Sequence, residues 1–117
     1  MFRIARIYDE PTPDDGYRVL VDRLWPRGVS KERAHLDLWL KEVAPSTELR
    51  EWFNHEAPRF EEFRARYEAE LEQNPAVEQL RAIGREHPVV TVLIGARDTQ
   101  HNQGVVLVEF LEAPAAG

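Results

Sequence analysis

Cysteine is absent from this chain of 117 residues, which excludes a disulfide framework, thiolate zinc sites, iron–sulfur clusters and thiol catalysis. Long apolar runs are absent too. The longest lie near Val89–Ala96 and Val105–Val108, far short of the roughly 18–20 residues of a membrane span. Met1–Tyr8 has no apolar stretch of signal-peptide type, because Arg3 and Arg6 interrupt it. A cytoplasmic protein without membrane association is therefore expected. Lysine is scarce: the 15 basic residues are thirteen Arg and two Lys. Arg suits fixed, bidentate contact with carboxylate or phosphate, although a coding bias toward Arg accounts for most of these positions. The 21 acidic residues bring the net charge to −6. That argues against non-specific nucleic-acid binding, which needs a basic field to displace counterions.

With 43% hydrophobic and 31% charged residues, the composition is that of a globular protein, and the length is that of one domain. Residues 1–113 are expected to form a single domain and 114–117 a frayed tail. Phe2–Tyr8 alternates apolar and basic residues and reads as a strand. Asp9–Gly16 is rich in turn residues, and Tyr17–Leu24, with Val19, Leu20 and Val21 at its centre, reads as a second strand covered on both faces. No helix fits between them, so an antiparallel pair is expected. Ser30 is placed to cap a short helix through about His35, and Ser46 or Thr47 a second through Phe53. Leu36–Val43 fits a strand and a helix about equally. Pro58 opens a long helix to about Gln73 with Phe60, Phe63, Tyr67 and Leu71 on one stripe, and Asn74–Pro75 opens another. Val89–Ile94 reads as a buried strand and Gln103–Glu112 as a final, very apolar helix. The fold class is α/β: a small mixed sheet of three to four strands, a long helical crossover, and a C-terminal helix packed on the sheet. The crossover returns Val89–Ile94 parallel to Tyr17–Leu24.

In open α/β sheets ligands sit beyond the carboxyl ends of strands. Two polar clusters fall there: Asp22, Arg23, Arg27 and Gly28 after the second strand, and Arg97, Asp98, Thr99, His101 and Asn102 after the third. Arg23, Arg27, Arg97 and Asn102 are the candidate ligands of an anion, phosphate or carboxylate. Asp22 and His101 are the candidates for proton transfer. The competing view is that Asp22–Arg and Asp98–Arg ion pairs merely close this edge. His35, His55 and His87 fall at helix ends or loops and are expected in solvent. Trp25, between Arg23 and Arg27, is a candidate stacking residue, while Trp39 and Trp52 are expected in packing. No metal and no cofactor are expected. The four histidines are dispersed, and HExxH, GxSxG, GxGxxG and phosphate-loop patterns are all missing.

The run Tyr8–Asp9, then Asp15-Gly-Tyr-Arg-Val-Leu-Val-Asp-Arg-Leu-Trp-Pro-Arg-Gly28, closely resembles the YeaO-like family, a domain of unknown function, number 488. The resemblance continues through Leu36-Asp-Leu-Trp39, Lys41–Arg50, Phe63–Leu71, Val92–Leu93 and His101–Asn102 to Val105–Leu107. It implies a compact cytosolic bacterial α/β protein and names no reaction. Relatives often read His-Asn-His-Ala where this chain has His101-Asn102-Gln103-Gly104, and often carry tyrosine in place of Ile94. Gln103 keeps hydrogen bonding without proton transfer near neutral pH.

Two functions follow as expectations. One is an enzyme or binding protein for a small anionic ligand at the Asp22, Arg23, Arg27, Arg97 and His101 edge. The other is a non-enzymatic regulatory or interaction protein, nucleic-acid-associated in one version, that uses the Trp25–Gly28 surface. Either is compatible with a monomer or a homodimer.

Overall fold

A computed structural model describes residues 1–113; the expected tail at 114–117 lies outside the described residues. Four strands form one sheet in the order β1-β4-β2-β3, where β1 is Phe2–Arg6, β2 Tyr17–Leu20, β3 Leu38–Trp39 and β4 Val90–Ile94. Every pairing is parallel, with Ile4 beside Val92, Val19 beside Val92, and Val19 beside Leu38. The class is α/β as the sequence indicates, but the sheet is not mixed, and β1 and β2 are not an antiparallel pair. The reason is burial. All five residues of β4 are buried, and such a strand belongs at a sheet's centre, covered on both faces. It therefore takes the place between β1 and β2. The short 7–16 connection, which holds a single 3-10 turn at Pro13–Asp15, can then join them without an α-helix, because it never links neighbouring strands. Gly16 makes this possible at φ 63°, where a Cβ would stand 2.3 Å from the Val89 carbonyl oxygen.

The ambiguous segment Leu36–Val43 divides. Leu38–Trp39 pairs as β3, and Lys41–Val43 closes into a single 3-10 turn. Five α-helices lie among the described residues: α1 Lys31–Ala34, α2 Thr47–Phe53, α3 Phe60–Glu72, α4 Ala76–Glu86 and α5 Gln103–Glu112. The Ser30, Ser46 and Asn102 side chains accept from the Arg33, Leu49 and Val105 amides, so three helix starts rest on side-chain caps, of which the sequence indicates Ser30 and Ser46. α1 and α2 end where His35 and Asn54 take left-handed conformations.

The sheet separates two apolar layers, as the period-two alternation of strands requires. Val19, Val90, Val92 and Ile94 join α2–α5 in the larger one, where the α3 stripe of Phe60, Phe63, Tyr67 and Leu71 is buried. Tyr67 also donates its hydroxyl to the Val43 carbonyl at 2.7 Å, and burial pushes its phenol up, so it stays a donor. On the other face Leu20 and Leu93 meet Ile7, Val29 and Ala34, flanked by Trp25 and Trp39. This face also carries the buried pair Arg18–Asp15, whose guanidinium donates to the Ala34 and His35 carbonyls at 2.9 and 3.2 Å.

Candidate functional site

Because the strands are parallel, their carboxyl ends open at one edge, and the segments that follow them enclose a cleft of about 640 Å³. Tyr8 follows β1, Asp22–Pro26 follow β2, Ala44, Pro45, Arg50 and Phe53 come from the path after β3, and Gly95–Asp98 follow β4. Gln103, the first residue of α5, and Phe63 of α3 complete the walls. The volume lies within the range of small-molecule sites.

Asp22 sits at the junction of three of these segments. Pairing of β2 with β4 carries past Leu20, since the Val21 amide donates to the Leu93 carbonyl at 3.1 Å. The chain then turns, and the Asp22 carbonyl accepts from the Trp39 indole at 2.7 Å. Its carboxylate accepts from the Gly95 amide at 2.8 Å and from the Gln103 side-chain amide. A Cβ at residue 95 would lie 2.9 Å from Asp22 Oδ2, so glycine there lets the carboxylate approach without displacement. Burial pushes the Asp22 carboxyl up from 3.8 to about 6, against the opposing pull of those two donors.

Among the described residues, no Lys, Arg or His forms an ion pair with Asp22. Arg23, next in sequence, turns instead to the Pro45 and Ala44 carbonyls, each at 3.1 Å, and ties the 44–45 segment to the cleft. Asp98 is likewise without an arginine. It accepts from the Gln100 amide at 2.9 Å, the His101 amide at 3.0 Å and His101 Nδ1 at 2.9 Å, and these bonds hold its carboxyl below the usual range. The ion-pair closure that competed with an open site is therefore not what the edge contains.

The structure brings Asp22, Arg23, Trp25 and Arg97 into one cleft. Other sequence candidates lie elsewhere. Asn102 is fully buried and spent on structure: Oδ1 accepts the Val105 amide at 3.0 Å and Nδ2 donates to the Asp98 carbonyl at 2.8 Å. It caps α5 and is not a ligand-facing group. His101 packs edge-on to Phe60 at 5.1 Å and does not border the cleft. Arg27 is exposed outside it, and its carbonyl accepts from the Tyr8 hydroxyl at 3.0 Å. Trp25 borders the cleft but is anchored, donating to the Val29 carbonyl at 2.7 Å and meeting Trp39 edge-on at 5.3 Å. His55, expected in solvent, is exposed yet stands on the cleft wall, and His87 stacks on Tyr17 at 4.5 Å.

Arg50 and His55 are cleft residues that the sequence did not reveal, since α2 reaches the cleft only through tertiary packing. Arg50 and Arg97 are exposed, and among the described residues neither side chain makes an ion pair. Also among the described residues, no three His, Cys, Asp or Glu side chains gather as metal ligands, and no helix is long and apolar enough to cross a membrane.

The charge on Asp22 gives a testable sign. A carboxyl raised from 3.8 to about 6 favours folding fully below pH 4 and loses that contribution as pH rises through 6. Asparagine in its place keeps an acceptor for Gly95 and offers an amide to a rotated Gln103. Between pH 4 and pH 8 the stability difference should move by about 2–3 kcal/mol in favour of Asp22→Asn. Urea unfolding at both pH values measures it, and a difference independent of pH would refute the assignment.

These features make this an α/β protein with an arginine-bearing cleft beyond its parallel strands. The model of a family described as the inactive DUF488-N3 subclade matches residues 1–116, and the chain belongs to the YeaO-like DUF488 family. It is 46% identical over 110 residues to the uncharacterized protein Mb3100c of Mycobacterium bovis, covering 93% of this chain and 92% of that one. The Mycobacterium tuberculosis protein Rv3073c matches to the same extent. Uncharacterized protein YeaO of Escherichia coli is 44% identical over 109 residues, 92% of this chain and 94% of its own. No solved structure matches the chain.

Proposed function

We propose that this protein binds a small anionic molecule in the cleft at the carboxyl edge of its sheet, without transforming it. The observation that carries this reading is the pair Arg50 and Arg97, two arginines from separate segments that border one cleft with no internal ion pair among the described residues. Arginine held in that way is suited to a phosphate or carboxylate. Leu24, Trp25, Phe53 and Phe63 give the same cleft an apolar wall for the body of the ligand. Binding without turnover is favoured because, among the described residues, no serine, threonine, cysteine or lysine nucleophile borders the cleft; Asp22 and His55 border it, but His101 lies away from it. The description of the family's model as inactive points the same way.

Calorimetric titration with inorganic phosphate and with 3-phenylpropanoate tests the reading. Binding of either should weaken as salt rises, and Arg97→Gln or Arg50→Gln should each weaken it by about tenfold, the scale of one charge-assisted hydrogen bond. Absence of binding by both probes, or affinities unchanged in both variants, would overturn it.

A further inference from the structure

We propose that the ligand of this cleft is amphoteric, an α-amino acid or a molecule of like chemistry with an apolar body, whose ammonium group is received by Asp22 while its acidic group meets Arg97 and Arg50. This rests on the anion-binding reading above and narrows it.

The argument begins from a missing partner. Asp22 is partly buried in the cleft wall, and among the described residues the only groups that donate to its carboxylate are uncharged, the Gly95 amide and the Gln103 side chain. The cation nearest in sequence, Arg23, is committed to the carbonyls of Ala44 and Pro45. A carboxylate offers about four lone-pair positions, and these two donors use two of them. Removing such a charge from water without a countercharge is unfavourable, and a well-placed cation reverses the balance. A buried carboxylate at the wall of an open cleft is therefore a receptor for a cation brought by the ligand.

The anion reading alone also creates a conflict that this assignment resolves. A simple phosphate or carboxylate entering the cleft meets repulsion from an ionised Asp22. An ammonium on the same molecule turns that repulsion into attraction, and the ligand's opposite charges then match the arginines and the aspartate. Leu24 and Trp25 supply apolar surface for a substituent, backed by the buried rings of Phe53 and Phe63, in a volume ample for an amino acid.

Three probes separate the terms: L-phenylalanine, 3-phenylpropanoate, which lacks the ammonium, and N-acetyl-phenylalanine, which keeps the carboxylate but not the positive charge. Calorimetry at pH 8 should show L-phenylalanine binding at least tenfold more tightly than either analogue. Asp22→Asn, which the pH argument above expects to fold well, should bring the three within about threefold of one another. A readout free of substitution is the carbon NMR titration of the Asp22 carboxyl in the wild-type protein. It should move to lower pH with L-phenylalanine and not with 3-phenylpropanoate. If 3-phenylpropanoate binds as tightly as L-phenylalanine, the amphoteric ligand is overturned and anion binding stands. A preference for L-phenylalanine that survives in Asp22→Asn overturns the role of Asp22. Failure of all three probes together with phosphate overturns both readings, and failure of the three while phosphate binds overturns this one alone.

Discussion

Replacing Phe63 with alanine is expected to lower the free energy of unfolding by about 3–5 kcal/mol, the range for deleting a large aromatic side chain from a packed core. Phe63 is 1% exposed and stacks on Phe53 with ring centroids 4.3 Å apart, and it touches the aromatic rings of Phe60 and Tyr67 as well. Neighbours from two helices cannot both close over the space a phenyl ring leaves, so the transfer and cavity contributions add. Urea unfolding measures the loss. A value well below 1 kcal/mol would show that the α3 stripe is not core.

Arg18→Ala is expected to be of similar size, about 3–5 kcal/mol, for an electrostatic reason. Arg18 is 6% exposed and its guanidinium satisfies the Ala34 and His35 carbonyls as well as Asp15. Truncation leaves the buried Asp15 carboxylate with Thr12 and, at 4.0 Å, the half-exposed Arg3 guanidinium as its partners, plus carbonyls at the end of α1 without donors. Because α1 is only four residues long and has Ser30 as its cap, its closure over Leu20 and Leu93 depends on this guanidinium. Hydrogen exchange should show the α1 amides losing protection first, and a loss of stability under 1 kcal/mol would contradict the role.

How much of this was legible in the sequence depended on whether local chemistry or distant contact decided each feature. α5 begins and ends where its apolar run and Asn102 place it, and β4 lies where five consecutive β-formers demand burial. The α3 stripe follows from spacing alone. Strand order did not, because pairing of β1 with β4 joins segments almost ninety residues apart and no local signal encodes it. At the site, Asp22 and Arg97 were found by their place after strands. Arg27 and Asn102 share that place, yet one chain turn puts the first outside the cleft and a helix cap consumes the second. Arg50 in α2 and His55 in the turn after it were missed because nothing in that segment indicates that it borders this cleft. Gln103 was noticed as a departure from its relatives, but its bond to Asp22 emerges only when β2 and α5 meet.

The strand order carries a consequence for the birth of the molecule. β1 and β2 exchange no ladder bonds with each other, and each pairs with β4, which begins only at Val90. On the ribosome the first two strands are made early and then wait, their inward edges open, until the last quarter of the chain has left the exit tunnel. Helices and the short β2–β3 pairing can form during that interval, but β1 cannot join the sheet and β2 lacks its central neighbour. Completion of the sheet is a late event whose contacts are distant in sequence, the kind that folds slowly and leaves unpaired edges open to aggregation or chaperone capture meanwhile. A nascent chain halted before Val90 should therefore be helical, protease-sensitive and without a ligand cleft, whatever the quality of the residues already in place.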